Sequence, residues 1–310
     1  MLHAYGESVG LSTETSRKWL AGLSGKIFRL SLKYEVANLV ETETKWPERK
    51  SVNNLRLQSE SLEYLGAKRC RERDIPEPEQ ERIQASIAMI PQDVTTILDV
   101  GCGDGRVTRK LSDTYQVVGI DYAFNSVRQL PQRGVRANSA QLPFPDASFD
   151  LVLCCELLEH LPGDIFSDTL QELERVARRY ILITVPYKEN LLLLQTKCPR
   201  CSTVFHIWGH LRSFSNRDLW KLFITFREES TSYLGSRPYY SGMIASLNQK
   251  FGNRWVEFSD TTMCPTCGNT KSERTGRNLV TIFCGGINLL TSRFMPMCQK
   301  NWVLKLYTRR

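Results

Sequence analysis

The clearest pattern along the chain starts at Ile97, where the apolar run Ile97-Leu98-Asp99-Val100 breaks at Gly101-Cys102-Gly103-Asp104-Gly105 and Arg106 to Ser112 resumes with helical spacing. This predicts strand, glycine loop, helix. Gln116-Val117-Val118-Gly119-Ile120 reads as a second strand ending at Asp121, and Tyr180 to Val185 reads as a buried strand ending at Pro186. Leu170, Leu173, Val176 and Ala177 recur at helical spacing between Asp168 and Arg178, and Glu79 to Met89 reads as a helix ahead of the first strand. Trp302 to Tyr307 is a candidate last strand. Alternating strands and helices imply a parallel sheet. The remaining periodic segment follows Ser215, which with Asp218 forms a capping box, and places Leu219, Leu222, Phe223 and Phe226 on one helical face.

Glycines after a strand permit positive φ and close backbone approach to a ligand, and the helix that follows offers free N–H groups. A carboxylate at the end of the next strand, Asp121, can accept both hydroxyls of a ribose. The third glycine of a dinucleotide loop is missing, because Arg106 stands there, so NAD is the weaker reading. Two later segments extend the pattern, Asn138 to Val152 around Leu142-Pro143-Phe144-Pro145-Asp146, and Cys155-Glu156-Leu157-Leu158-Glu159-His160-Leu161.

These four motifs, in this order over residues 80 to 187, resemble the class I S-adenosylmethionine-dependent methyltransferase family. The resemblance implies a Rossmann-like doubly wound α/β sheet, mostly parallel, with an antiparallel C-terminal strand. It further implies that Asp99, Gly101 and Gly103 line the methionine end of the cofactor, that Asp121 holds its ribose, and that Asn138 and Ser139 face the adenine. Asn138 stands where the family usually has Asp, and its amide oxygen can still accept a hydrogen bond. Cys155, at the start of the last motif, is counted with the cofactor-binding residues. His160 in that motif is a candidate base, with a positional role as the alternative.

Beyond residue 187 the chemistry changes. Cys198-Pro199-Arg200-Cys201 and Cys264-Pro265-Thr266-Cys267 can together supply four thiolates to one tetrahedral Zn²⁺. With 62 residues between Cys201 and Cys264, such a metal would clip the ends of an inserted domain. A redox Cys-x-x-Cys pair is the rival reading. His206 and His210, four apart, would share one face of a helix and could join the metal or bind substrate, although Gly209 weakens the helix. His210 is the first candidate base and Arg212 a candidate partner for an anionic group.

With 310 residues the chain has room for about two domains. The expected division is an N-terminal helical extension at 1–78, a cofactor-binding core at 79–187, a zinc-knuckle substrate insertion at 188–275, and C-terminal elements at 276–310 that complete the sheet. Charge is uneven: residues 188–310 carry 18 basic and 7 acidic side chains, against 14 and 14 in residues 1–95. That excess suits an anionic acceptor or nucleic acid. Arg17 to Tyr34 is a basic amphipathic helix that could touch a membrane surface or pack on the protein itself. The longest uncharged stretch, Asn278 to Ser292, is 15 residues and too short to span a bilayer. The N-terminus has no basic start, apolar run and cleavage site, so a cytoplasmic enzyme is expected. Its expected activity is S-adenosylmethionine-dependent methylation of a small or carrier-bound metabolite. RNA methylation and a non-catalytic zinc-containing binding module are the alternatives.

Overall fold

The computed structural model describes residues 75–310 except 131–132, 239, 274–275, 277 and 295–297. The predicted basic helix Arg17–Tyr34 and nearly all of the 1–78 extension lie outside the described residues.

Helix α1 (Glu77–Ala88) leads to β1 (Thr96–Val100), followed by α2 (Arg106–Leu111), β2 (Gln116–Asp121), α3 (Phe124–Val127), β3 (Gly134–Arg136), β4 (Phe149–Cys155), α4 (Gly163–Val176) and β5 (Ala177–Pro186). These five strands run parallel, and β11 (Trp302–Arg309) pairs antiparallel with β5 on one side and β8 (Phe226–Leu234) on the other. The sheet order is β3-β2-β1-β4-β5-β11-β8. It is a Rossmann-like α/β sheet of seven strands in which β11 alone runs against the rest.

Every residue of β1 is buried, and all of β4 except Cys155, as central strands covered on both faces must be. Ile97, Leu151, Leu153, Leu182 and Leu306 form one face of the core, against which Ile90, Val94 and Leu111 pack. Asp150 at the start of β4 accepts hydrogen bonds from Thr95 N, Thr95 Oγ1 and Thr96 N at 2.6 to 3.1 Å, which fixes the register of β1 against β4.

The segment 188–275 does not form one continuous insertion, because β8 lies within it and joins the core sheet. Its sequence, Phe-Arg-Glu-Glu-Ser-Thr-Ser-Tyr-Leu, gave no strand signal because an edge strand needs no apolar face on the solvent side. The helix expected from Ser215 to Phe226 stops at Trp220 as α5 (Asn216–Trp220); the capping box forms, but Phe223 and Phe226 are buried outside it.

Two accessory pieces remain. The first contains the hairpin β6 (Gln195–Lys197) and β7 (Val204–His206); the second begins with β9 (Arg237–Pro238) and carries α6 (Gly242–Lys250) and α7 (Leu279–Phe294) before β10 (Cys298–Gln299) pairs antiparallel with β9 and the chain leads into β11. Thr196 Oγ1 donates to Val256 O and Val256 N to Gln195 O, which joins the two pieces. One follows the C-terminal end of β5 and the other that of β8, so both stand at the end of the sheet that carries the glycine loop rather than over an open edge.

Candidate active site

In a parallel sheet the strand order reverses between β1 and β4, and the crevice outside their carboxyl ends is where ligands fit. Three loops meet there. Gly101 (φ +76°) and Gly103 (φ +55°) adopt the left-handed conformation that side chains resist. A Cβ on Gly101 would meet Leu157 at 3.0 Å, which brings the turn after β4 directly onto the glycine loop, whereas a Cβ on Gly103 would point into open space. Gly103 N donates to Asp121 Oδ2 at 2.9 Å and Ala123 N to Asp121 Oδ1 at 2.8 Å. The acid at the end of β2 thus braces the loop.

Asp99 is buried under that loop and accepts from Thr108 Oγ1 at 2.6 Å. Burial pushes its carboxyl up to about 6, against the Thr108 hydrogen bond. Ala137 N donates to Asp121 O at 3.1 Å, placing Asn138 and Ser139 next to the end of β2. Their side chains bond within the protein: Asn138 Oδ1 accepts from Ala140 N, and Ser139 Oγ lies 2.9 Å from Thr169 Oγ1. Cys155 Sγ sits 3.5 Å from Thr184 Oγ1, and burial raises its thiol to about 11, which leaves it no nucleophile at neutral pH.

In the turn after β4, His160 meets His210 edge to face with ring centroids 4.7 Å apart. Residues 206–210 are a turn rather than a helix, with Gly209 at φ +76°, and the turn still stacks His206 on His210 at 4.6 Å. Sequence reasoning missed Glu189, which is buried and takes His210 Nδ1 at 2.5 Å on its Oε2. Its position three residues past the end of β5, matching that of other strand-end acids, was the available signal. A carboxylate at Nδ1 orients the ring and leaves the Nε2 lone pair to accept a proton.

His206 Nδ1 accepts the N–H groups of Trp208 and His210 at 3.3 Å, and burial followed by the neighbouring His210 lowers this ring to about 4. His206 is therefore a neutral support. Arg212 donates to Leu161 O and lies 3.9 Å over the Phe166 ring, so it braces the turn after β4.

Two groups of side chains bring ligand atoms within 4.8 Å of one another around His210: Glu159 with His160, and Glu189 with His206. The second is poorly suited to a cation, because the amides at His206 Nδ1 keep that ring's proton on Nε2. In the first, Glu159 is fully buried, its Oε1 lies 4.0 Å from His160 Nε2, and neither carboxylate oxygen has a hydrogen-bond partner among the described residues; burial and then Glu156 raise its carboxyl well above the usual range.

The four cysteines lie apart from the histidines. Cys198, Cys201, Cys264 and Cys267 hold their sulfurs within 4.8 Å of one another, with 3.5 Å between Cys198 and Cys267 and between Cys201 and Cys264. Four sulfurs at about 2.3 Å from a central zinc would be about 3.8 Å apart. Both Cys-Pro-x-Cys turns have the same backbone: Ser202 and Gly268 are left-handed and donate to the carbonyls of Cys198 and Cys264, whose own N–H groups donate to Thr203 O and Asn269 O.

Residues 98–180 match the methyltransferase-domain family. The core is a class I S-adenosylmethionine-dependent methyltransferase domain. A protein of Mycolicibacterium smegmatis described as a probable S-adenosylmethionine-dependent methyltransferase is 37% identical over 167 residues, covering 52% of this chain and 62% of that one. A ubiquinone biosynthesis O-methyltransferase of Albidiferax ferrireducens is 33% identical over 78 residues, 21% of this chain and 31% of its own. An uncharacterized protein of Methanocaldococcus jannaschii is 32% identical over 100 residues, covering 31% of this chain and 43% of that one. The chain thus spans 31% to 62% of the length of these relatives. Among solved structures, magnesium protoporphyrin IX methyltransferase from Synechocystis is similar at a TM-score of 0.46 and 12% identity, over 85% of this chain and all of that one.

Proposed function

We propose that this chain is an enzyme that transfers a methyl group from S-adenosylmethionine to a hydroxyl or amine on a small or carrier-bound metabolite. The observation that carries this reading is that Leu157, in the turn bearing Glu159 and His160, packs on Gly101 of the glycine loop. The cofactor-domain motifs and an oriented histidine therefore border one crevice. When bound, the cofactor supplies an electrophilic methyl whose sulfonium is its own leaving group.

The chain's residues bind and align. The open space before Gly103 admits the cofactor's methionine end, ionised Asp99 balances its positive charge, and Asp121 accepts from the ribose hydroxyls. Asn138 and Ser139, bonded within the protein, offer their remaining polar atoms to the adenine. Across the crevice a histidine would take the proton of the acceptor hydroxyl or amine as that group accepted the methyl. His160 is half-buried and His210 buried, so His160 takes the proton first, with His210 and Glu189 behind it.

Glu159, whose buried carboxylate makes no hydrogen bond among the described residues and lies 4.0 Å from His160 Nε2, supports a second reading of the same spot, in which Glu159, His160 and His210 would hold a divalent cation that would lower the pKa of the acceptor hydroxyl. Turnover abolished by chelation and restored by Mn²⁺ would favour that form over the base. The four cysteines are assigned a structural Zn²⁺, supported by the paired knuckle geometry, which holds the two accessory pieces together at the acceptor side.

Calorimetric titration of S-adenosylmethionine into the wild type and into Asp121→Ala tests the cofactor reading. Micromolar-scale binding weakened about tenfold or more in the variant is expected. No heat in the wild type would leave a binding module on a methyltransferase scaffold. Tight RNA binding that falls steeply with salt would move the acceptor from metabolite to RNA.

A further inference from the structure

Helix α7 is built inside out. Its large apolar side chains Leu279, Ile282, Phe283, Leu289 and Leu290 are 58% to 85% exposed, while Thr281 and Cys284 are buried against the protein. The exposed positions fall at i, i+3, i+4, i+10 and i+11, one stripe of a helix. Helix α4 shows the ordinary arrangement, with Leu173 and Val176 fully buried. Single exposed leucines need no explanation, but a whole stripe does.

Helix α6 continues the surface. Met243, Leu247 and Phe251, spaced four apart, are all exposed, and Asn278 Nδ2 donates to Phe251 O and Gly252 O, which joins the end of α6 to the start of α7. Neither helix contains an acidic residue. Lys250 sits 5.6 Å over the Phe251 ring at their junction and Arg254 is exposed four residues on. No helix among the described residues is long and apolar enough to cross a membrane.

We propose that the α6–α7 face lies in the interface of a bilayer bearing anionic headgroups, its apolar stripe among the acyl chains and Lys250 and Arg254 at headgroup level. Charge decides against a second copy of this chain as the occupant. Lys250 and Arg254 stand beside the stripe and neither helix bears an acid, so two copies meeting here would set like charges together, whereas an anionic lipid surface complements them. The inference rests on α6 and α7 alone and is independent of the cofactor reading.

The test is co-sedimentation of the full chain with phosphatidylcholine vesicles, with and without about 30 mol% phosphatidylserine. The wild type should bind the anionic vesicles at least tenfold more than the neutral ones. Ile282→Glu with Phe283→Glu should lower that binding about tenfold or more, and Lys250→Glu with Arg254→Glu should remove the anionic preference. Unchanged S-adenosylmethionine binding or, where that is absent in the wild type, an unchanged far-UV spectrum and melting temperature, would show that the variants fold. Vesicle binding unaffected by the glutamates would overturn the proposal by placing contact elsewhere. Absence of binding, with a dimer that the glutamates dissociate, would overturn it in favour of a second copy.

Discussion

The two sides of the crevice are built on opposite principles. The glycine-loop side is made by backbone at strand ends, with Gly101, Gly103, Asp121 and Ala137 linked by main-chain and carboxylate hydrogen bonds inside one stretch of chain. The accessory side is made by side chains from far apart: Cys198 with Cys267, His210 with Glu189 and His160, Thr196 with Val256. The first side borrows its rigidity from the core sheet, and the second has to make its own. A change on the first should therefore cost ligand affinity with the fold intact, and a change on the second should cost local structure.

The largest effect should come from Cys264→Ser. With the proposed zinc on these four cysteines, metal analysis should find one zinc per wild-type chain and none in the variant, and the part it holds should lose on the order of 10 kcal/mol of folding energy. Hydrogen exchange should then show protection lost around 195–206 and 256–270 and kept in 96–187. Loss of protection across the whole chain would show that the two sides fold as one unit.

Next in size is Glu189→Gln. If the carboxylate orients the His210 ring, kcat should fall by about 10² or more while cofactor affinity stays within about twofold. A variant that instead lost cofactor binding would join the two sides energetically.

Asp99 gives a smaller, pH-dependent effect. Its folded pKa of about 6 lies above the ordinary value of 3.8, so the proton is held more tightly in the folded chain. The stability this provides is complete below about pH 4 and is lost as pH rises through 6. A positively charged cofactor favours the ionised form, so its affinity should weaken up to about tenfold from pH 7 to pH 5. Calorimetry across that range should show the slope in the wild type and a flat line in Asp99→Asn.

The smallest effect belongs to Trp302→Phe, which removes the 3.0 Å bond from Trp302 Nε1 to Glu156 Oε2 between β11 and the turn after β4. A loss of about 1 kcal/mol in urea unfolding is expected. A loss several times larger would mean that β11 anchors the crevice as well as the sheet.

The glycine-loop side was legible because its chemistry is local. A strand, a turn needing positive φ and an acid at the next strand end each leave a mark within a few residues, and Asp121 could be named from spacing alone. Glu189 left the same mark and was overlooked, since nothing local set it apart from the neighbouring Lys188. The pairing of its carboxylate with His210 spans 21 residues and two changes of direction. The strand β8 was hidden for another reason: at a sheet edge half its side chains face water, and Glu228 and Thr231 read as polar loop although they pair with the buried Lys305.

By itself the sequence determined the alternation of strand and helix, the positive-φ loop, the strand-end acid and the two cysteine turns, because each depends on backbone sterics or side-chain period over a few residues. Tertiary structure alone decided that β8 enters the sheet beside β11, that α7 turns its apolar stripe outward, and that Glu189, His210 and His160 meet. Those arrangements arise where segments distant in the chain compete for the same core surface, and no local pattern records which of them wins.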